Sequence, residues 1–207
     1  WFGRQQYRHD SIGRFLTRKP AAKMQQFMKR YSYVGDYHYA YQKGWLDVYA
    51  DSSEVYARRH AQSGMPTVIV HWGSIERWYK DMNLPRDIDV LWMGKPATRR
   101  RKKILDKLRI ELAERKISFH FADGVDRPFV FGEARTELIN RAKITLNVTR
   151  TWYDDTFLRF AIVAPNRSLI ISEPMLPHCP HFEPGKHFVV TPPEKFVEQI
   201  EYYLENE

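Results

Sequence analysis

Three consecutive arginines, Arg99, Arg100 and Arg101, follow the loop Gly94-Lys95-Pro96-Ala97-Thr98, and the next carboxylate along the chain is Asp106. A glycine at a strand end lets backbone approach a ligand closely, and the helix start beyond it offers unpaired N–H donors. With Lys95 and the arginines, these are the parts of an anion site. Three guanidinium groups in a first helical turn oppose the helix dipole, a conflict that a bound diphosphate would relieve. The competing reading is a solvated basic face. Other candidates stand beyond apolar runs. His71 follows TVIV and could face a ligand in a cleft or serve as a structural histidine. Glu173 ends SLIIS and is read as a partner for sugar hydroxyls, against an exposed loop carboxylate. Asp154 and Asp155 fall where a helix is expected to start, and capping accounts for them as well as chemistry does. His178, Cys179 and His181 lack a fourth ligand nearby, so no metal site is expected there.

The elements that must position these groups follow a βα pattern. From about Trp45 onward, short apolar runs alternate with helical ones, which predicts an α/β fold with a parallel sheet. DIDVLWMG reads as a strand buried on both faces. A helix from about Thr98 to Lys116 places Ile104, Leu105, Leu108 and Leu112 on one stripe and leaves the arginines outside it. ISFHF, PFVF, ITLNV, SLIIS and HFVVT are further expected strands, with helices near 133–143, 154–165 and 193–205. Thr191 and Glu194 have the spacing of a capping box, with Pro192 at the first helical position. The alternating Tyr31, Tyr33, Tyr37, Tyr39 and Tyr41 suggest one face of a strand or hairpin. The irregular, aromatic stretch from Trp72 to Pro85 reads as a linker. The expected division is a partial N-terminal Rossmann-like unit with its linker over residues 1–80, and a C-terminal Rossmann-like domain over 81–207.

Charge narrows the partners. The net charge is +8 over 207 residues, and two segments carry it: residues 1–30 and residues 97–116. The remainder is net acidic, which argues against a uniform nucleic-acid coat and for two local anion-facing surfaces. Residues 1–30 could contact an anionic surface peripherally. No apolar run approaches the ~20 residues that span a bilayer. The lone cysteine, Cys179, excludes an internal disulfide, and a cytoplasmic setting is the expectation.

Several stretches in order resemble one family. DIDVLWMGKPATRRRKKIL is similar to the opening strand, glycine and arginine-containing helix of the C-terminal domain in CgeB-like glycosyltransferases, within the retaining GT-B group. GEARTELINRAKITLN resembles the family's helix and its step into a strand, through Asn140, Ala142, Lys143, Ile144 and Asn147. LRFAIVAPNRSLIISEP resembles the next helix and strand, through Arg159 and Ser172-Glu173, and HFEPGKHFVV the closing turn, through Pro184, Gly185 and His187. The likeness covers residues 86–207 and, more loosely, 45–85.

This resemblance implies a GT-B-like fold and a sugar transfer, retaining in outcome, from a nucleotide-sugar donor to an acceptor that is a glycan, a protein or a small molecule. No metal or other cofactor is implied. Arg159 would be the catalytic electrostatic residue at the departing diphosphate, cradled by Gly94, Lys95 and Arg99. Asn147, Glu173 and Gly185 would be further donor-binding positions, with His71 and Asp154 at the cleft. One departure stands out. Ile162 replaces a family glutamate that binds the donor ribose, and isoleucine accepts no hydrogen bond. Either other groups recognise the donor or transfer activity is lost. A different class is the alternative: a non-catalytic module gripping nucleic acid or another polyanion, which the arginines and aromatics of WFGRQQYRHDSIGRFLTRK would suit.

Overall fold

A computed structural model describes residues 37–52, 54–96, 98–150, 157–175 and 182–206. The chain divides into two compact units, Trp1–His71 and Trp72–Glu207.

In the smaller unit, residues 37–42 are helical. Strand β1 (Tyr49–Asp51), helix α1 (Glu54–Gln62) and strand β2 (Thr67–Ile69) follow, and β1 pairs in parallel with β2. Helix replaces the strand expected for Tyr37, Tyr39 and Tyr41; Tyr31 and Tyr33 lie outside the described residues. The rings find partners as helix side chains, Tyr37 against Tyr49 of β1 at 4.9 Å and Tyr39 against Trp45 at 5.6 Å.

The larger unit runs β3 (Ile88–Met93), α2 (Arg99–Glu114), β4 (Phe119–Ala122), α3 (Gly132–Asn140), β5 (Ala142–Asn147), α4 (Leu158–Val163), β6 (Leu169–Ser172), β7 (Val189–Val190) and α5 (Phe196–Glu205). Its strands form one sheet, ordered β4-β3-β5-β6-β7, with every pairing parallel. The α/β class with parallel sheets read from the sequence therefore holds. Apolar residues cover both faces, as the continuous run in β3 requires. Val90 and Trp92 belong to a core with Leu105, Leu108 and Leu112 of α2 and with Phe196 and Ile200 of α5. Leu91 belongs to the opposite core, with Ile139 of α3 and Phe160 and Val163 of α4. Strand order reverses between β3 and β5, so their carboxyl ends diverge into a crevice of the kind that holds ligands in doubly wound folds.

Four local readings need correction. Arg101 is not outside the apolar stripe of α2: it is only 7% exposed and continues the stripe one turn before Leu105. PFVF forms no strand, because Phe129 and Phe131 line an open cavity instead of pairing with a neighbour. Thr191 does not cap the last helix. Its N–H extends the β6–β7 pairing by donating to Ser172 at 2.9 Å, and a 3-10 turn, Pro193–Lys195, leads into α5 without a side-chain cap. Finally, the supposed linker is partly fixed. Asn140, buried at the end of α3, donates to the Lys80 carbonyl at 2.9 Å and accepts from the Met82 N–H at 2.6 Å, while Thr136 donates to the Trp78 carbonyl.

Candidate functional site

A cavity of about 550 Å³ opens where β3 and β5 end. Met93, Gly94 and Lys95 come from the end of β3, and Asn147, Thr149 and Arg150 from the end of β5 and the loop beyond. Helix α4 contributes Leu158, Arg159 and Ile162, and the segment entering α3 adds Phe129, Val130, Phe131 and Arg135. Arg101 reaches it from the first turn of α2. Five cationic side chains, Lys95, Arg101, Arg135, Arg150 and Arg159, thus share one concavity with an aromatic and aliphatic wall.

Each cation is held differently. Arg159 donates through Nη2 to the Met93 carbonyl at 3.1 Å and through Nη1 to Asn147 Oδ1, which ties α4 to the ends of β3 and β5. Asn147 is oriented in turn by donating to Ser172 Oγ at 2.9 Å. The Arg159 guanidinium also lies 4.6 Å from the centre of the Trp92 ring, within cation–π range. Gly94 passes beneath it with φ +112, a conformation that side-chain-bearing residues rarely adopt, and a Cβ there would stand 3.7 Å from Arg159 Nη2. Arg101 donates to the Lys95 carbonyl at 3.2 Å, and its backbone N–H is capped by Thr98 Oγ1 at 3.2 Å. Arg135 bonds Tyr79 Oη and lies over the Tyr79 and Phe131 rings at 5.3 and 5.9 Å. The Lys95 ammonium stands 5.6 Å from the Phe129 ring centre.

The helix-dipole conflict in α2 is met partly within the protein. Glu173 is only 3% exposed, and its carboxylate accepts both guanidinium arms of Arg100, the N–H of Thr149 and, at 2.7 Å, the Thr149 hydroxyl. The bond to Glu173 is the largest influence raising Arg100 above its ordinary pKa. With its oxygens engaged in this way, Glu173 is a clamp between β6, the loop after β5 and the start of α2. Its expected place at sugar hydroxyls stands beside these internal partners, and the exposed loop carboxylate of the competing reading does not hold, since Glu173 is buried.

Of the residues named from the sequence, Gly94, Lys95, Asn147 and Arg159 come together around the cavity, and so does the anomalous Ile162. Arg99 is exposed and is not among the described lining residues. Gly185 sits in an exposed turn, donating to the Phe188 carbonyl at 2.8 Å, and does not line the cavity either. His71 is exposed and belongs to the smaller unit. Asp154, Asp155, His178, Cys179, His181 and residues 1–30 lie outside the described residues. Sequence reasoning placed Arg101 in the basic triplet of an anion site but missed Arg135, Arg150, Phe129 and Phe131 as lining residues. A signal existed for two of them. Arg150 follows the strand ITLNV, and Arg135 falls in the first turn of the helix after β4.

The fold and cavity define a doubly wound α/β protein with a basic crevice at its topological switch point. Over residues 99–207 the sequence matches the model of a family described as glycosyl transferase-like. That match takes in more than half of the chain, and the chain belongs to this family. A search of curated proteins found no match. Among solved structures, the pneumococcal O-GlcNAc transferase GtfA in complex with UDP and GlcNAc is similar over 82% of this chain and 39% of that one, at 13% identity and a TM-score of 0.47. This chain thus spans well under half of that protein's length.

Proposed function

We propose that the larger unit binds a nucleoside-diphosphate sugar through the β3–β5 crevice, and that the protein transfers the sugar to a glycan, protein or small-molecule acceptor. The convergence of Lys95, Arg101, Arg135, Arg150 and Arg159 on one cavity carries this reading. A diphosphate brings two or more negative charges and many acceptor oxygens, which Arg forks hold in fixed geometry. The apolar wall of Phe129, Val130 and Phe131 suits the base. In the transfer itself, negative charge grows on the departing diphosphate, and Arg159 is the group assigned to stabilise it, with Lys95 and the Gly94 backbone beside it. A GT-B arrangement, a CgeB-like subfamily, a retaining outcome and a cytoplasmic setting belong to the same proposal.

Ile162 gives the donor an apolar contact where a carboxylate would grip ribose, so binding rests on the phosphates and the base. The bridging cations supply the charge neutralisation for which some transferases use a metal ion, and binding without added divalent cation is part of the proposal. The polyanion-binding alternative is weakened by the basic triplet itself. Arg101 turns into the crevice and Arg100 is paired with Glu173, so the triplet does not present three arginines to an extended polyanion. Calorimetric titration with UDP, GDP, ADP and dTDP, beside single-stranded DNA and RNA of mixed sequence, tests the assignment. Nucleoside-diphosphate binding supports it. Nucleic-acid binding that collapses with salt, with no nucleotide bound, refutes it in favour of the alternative.

A further inference from the structure

Trp92 is wholly buried, at 0% exposure, at the end of a strand whose other members are aliphatic or acidic. Its indole N–H donates to the Gly94 carbonyl at 2.7 Å, which fixes the plane of the ring against the turn that opens the cavity. Two cationic lining residues stand on that ring: the Arg159 guanidinium at 4.6 Å from its centre and the Arg101 guanidinium at 5.3 Å. They reach it from different elements, α4 and α2.

We propose that Trp92 is a positioning residue that gathers Arg101 and Arg159 onto one indole, so that both guanidinium groups are aimed together at a pyrophosphate-like ligand. The inference rests on the reading of the crevice as a diphosphate site. Bringing two like charges to one place is unfavourable, and the negative face of an indole offsets part of that cost before the ligand arrives. The ring also does what neither arginine can do alone. Its single fixed plane sets the separation of two groups carried on separate helices, and prior placement of this kind saves ordering cost on binding. Gly94 links the ring to the loop, since the same residue accepts the indole N–H and passes under Arg159.

Inorganic pyrophosphate is the probe, titrated calorimetrically against the full chain, with UDP in parallel and a melting curve for each protein. Trp92→Leu removes the π face and is expected to weaken pyrophosphate about ten-fold, the scale of losing desolvated cation–π contacts. Trp92→Phe keeps a ring but loses the N–H, and is expected to weaken it less than three-fold, even though both variants melt lower. Because Trp92→Leu opens a void in the core, the decisive arm keeps the side chain's shape. Site-specific incorporation of ring-fluorinated tryptophan at position 92 alone, by nonsense suppression, weakens that ring's quadrupole and leaves the other five tryptophans as they are, and pyrophosphate affinity should fall measurably with each added fluorine. Unchanged affinity on fluorination overturns the proposal, as does a folded Trp92→Leu variant that binds like the parent. Equal losses in the Phe and Leu variants would also overturn it, since the effect would then run through the Gly94 hydrogen bond. If UDP does not bind but pyrophosphate does and its affinity follows the ring, the transferase reading falls and this proposal stands. If pyrophosphate does not bind either, both fall.

Discussion

Replacing Arg159 with alanine should weaken nucleoside-diphosphate binding while leaving the protein folded. The side chain makes one hydrogen bond to the Met93 carbonyl at 3.1 Å, one to Asn147, and a ring contact to Trp92 at 4.6 Å. These contacts orient it and still leave it bordering the cavity. Losing one charge-assisted contact to a ligand in a partly desolvated crevice costs about 1.5–3 kcal/mol. That is roughly ten- to a hundred-fold in affinity or transfer rate. The folded protein loses less. The freed Met93 carbonyl and Asn147 amide face the cavity, where water can replace the guanidinium, so a stability loss of about 1 kcal/mol is expected, or roughly 2–4 °C in melting temperature. Arg159→Lys keeps the charge but not the fork and should fall between the parent and alanine. Calorimetry with UDP, beside a thermal melt of each variant, separates binding from folding. An alanine variant that melts lower but binds UDP as the parent does would show that Arg159 is only a strut between α4 and the sheet, and would refute the reasoning.

Glu173→Gln should lower stability by about 1–3 kcal/mol, because a buried, multiply bonded carboxylate loses its charge while Arg100 keeps its own. Affinities for UDP and for a UDP-sugar should change by the same factor; a loss confined to the UDP-sugar would return Glu173 to the sugar hydroxyls. Nucleoside-diphosphate binding should be the same in EDTA as in magnesium or manganese, and calorimetry showing that binding disappears with chelator and returns with metal would contradict the all-cation site. Stability should fall in mild acid. Burial above all holds His38, His60 and His120 below their ordinary value of 6.5, with His38 adding to the effect at His60, and Arg127 and Arg141 at His120. Such histidines are neutral when folded and take up protons more readily when unfolded, so the stabilisation is present above 6.5 and drains away below it. Melting temperatures between pH 7.5 and 5 check this, and His60→Asn should flatten the slope.

The fold was legible wherever the apolar pattern had only one solution. DIDVLWMG, apolar without a break from Val90 to Met93, had to be a strand covered on both faces, and the Leu105, Leu108 and Leu112 stripe fixed how α2 lies on it. The candidate site was legible where a strand end met glycine and charge, at Gly94 and Lys95, while Arg159, on helix α4, came from the family resemblance alone. It was not legible where a polar side chain satisfies itself in three dimensions. Nothing local shows that Glu173 meets Arg100 from 73 residues away, which gives it a structural role as a clamp. PFVF misled because its β-rich composition serves a cavity wall, with Phe131 left 70% exposed. Thr191 misled because a capping residue and a strand-edge residue have the same composition, and the sheet claimed it.

The amide of Asn140 decides where this protein can be divided. Besides Lys80 and Met82 it bonds the Thr136 carbonyl and Asn166, so one side chain joins the incoming chain, the end of α3 and the turn after α4. A splice at residue 81, the boundary that composition suggests, would sever Lys80 and Trp78 from their partners and open a buried polar knot to water. A splice at Trp72 leaves every strand of that knot intact. Exchange of the larger unit between relatives would therefore have to carry residues 72–86 along with the sheet they border, because a stretch that looks like tether is the seam that closes the larger unit.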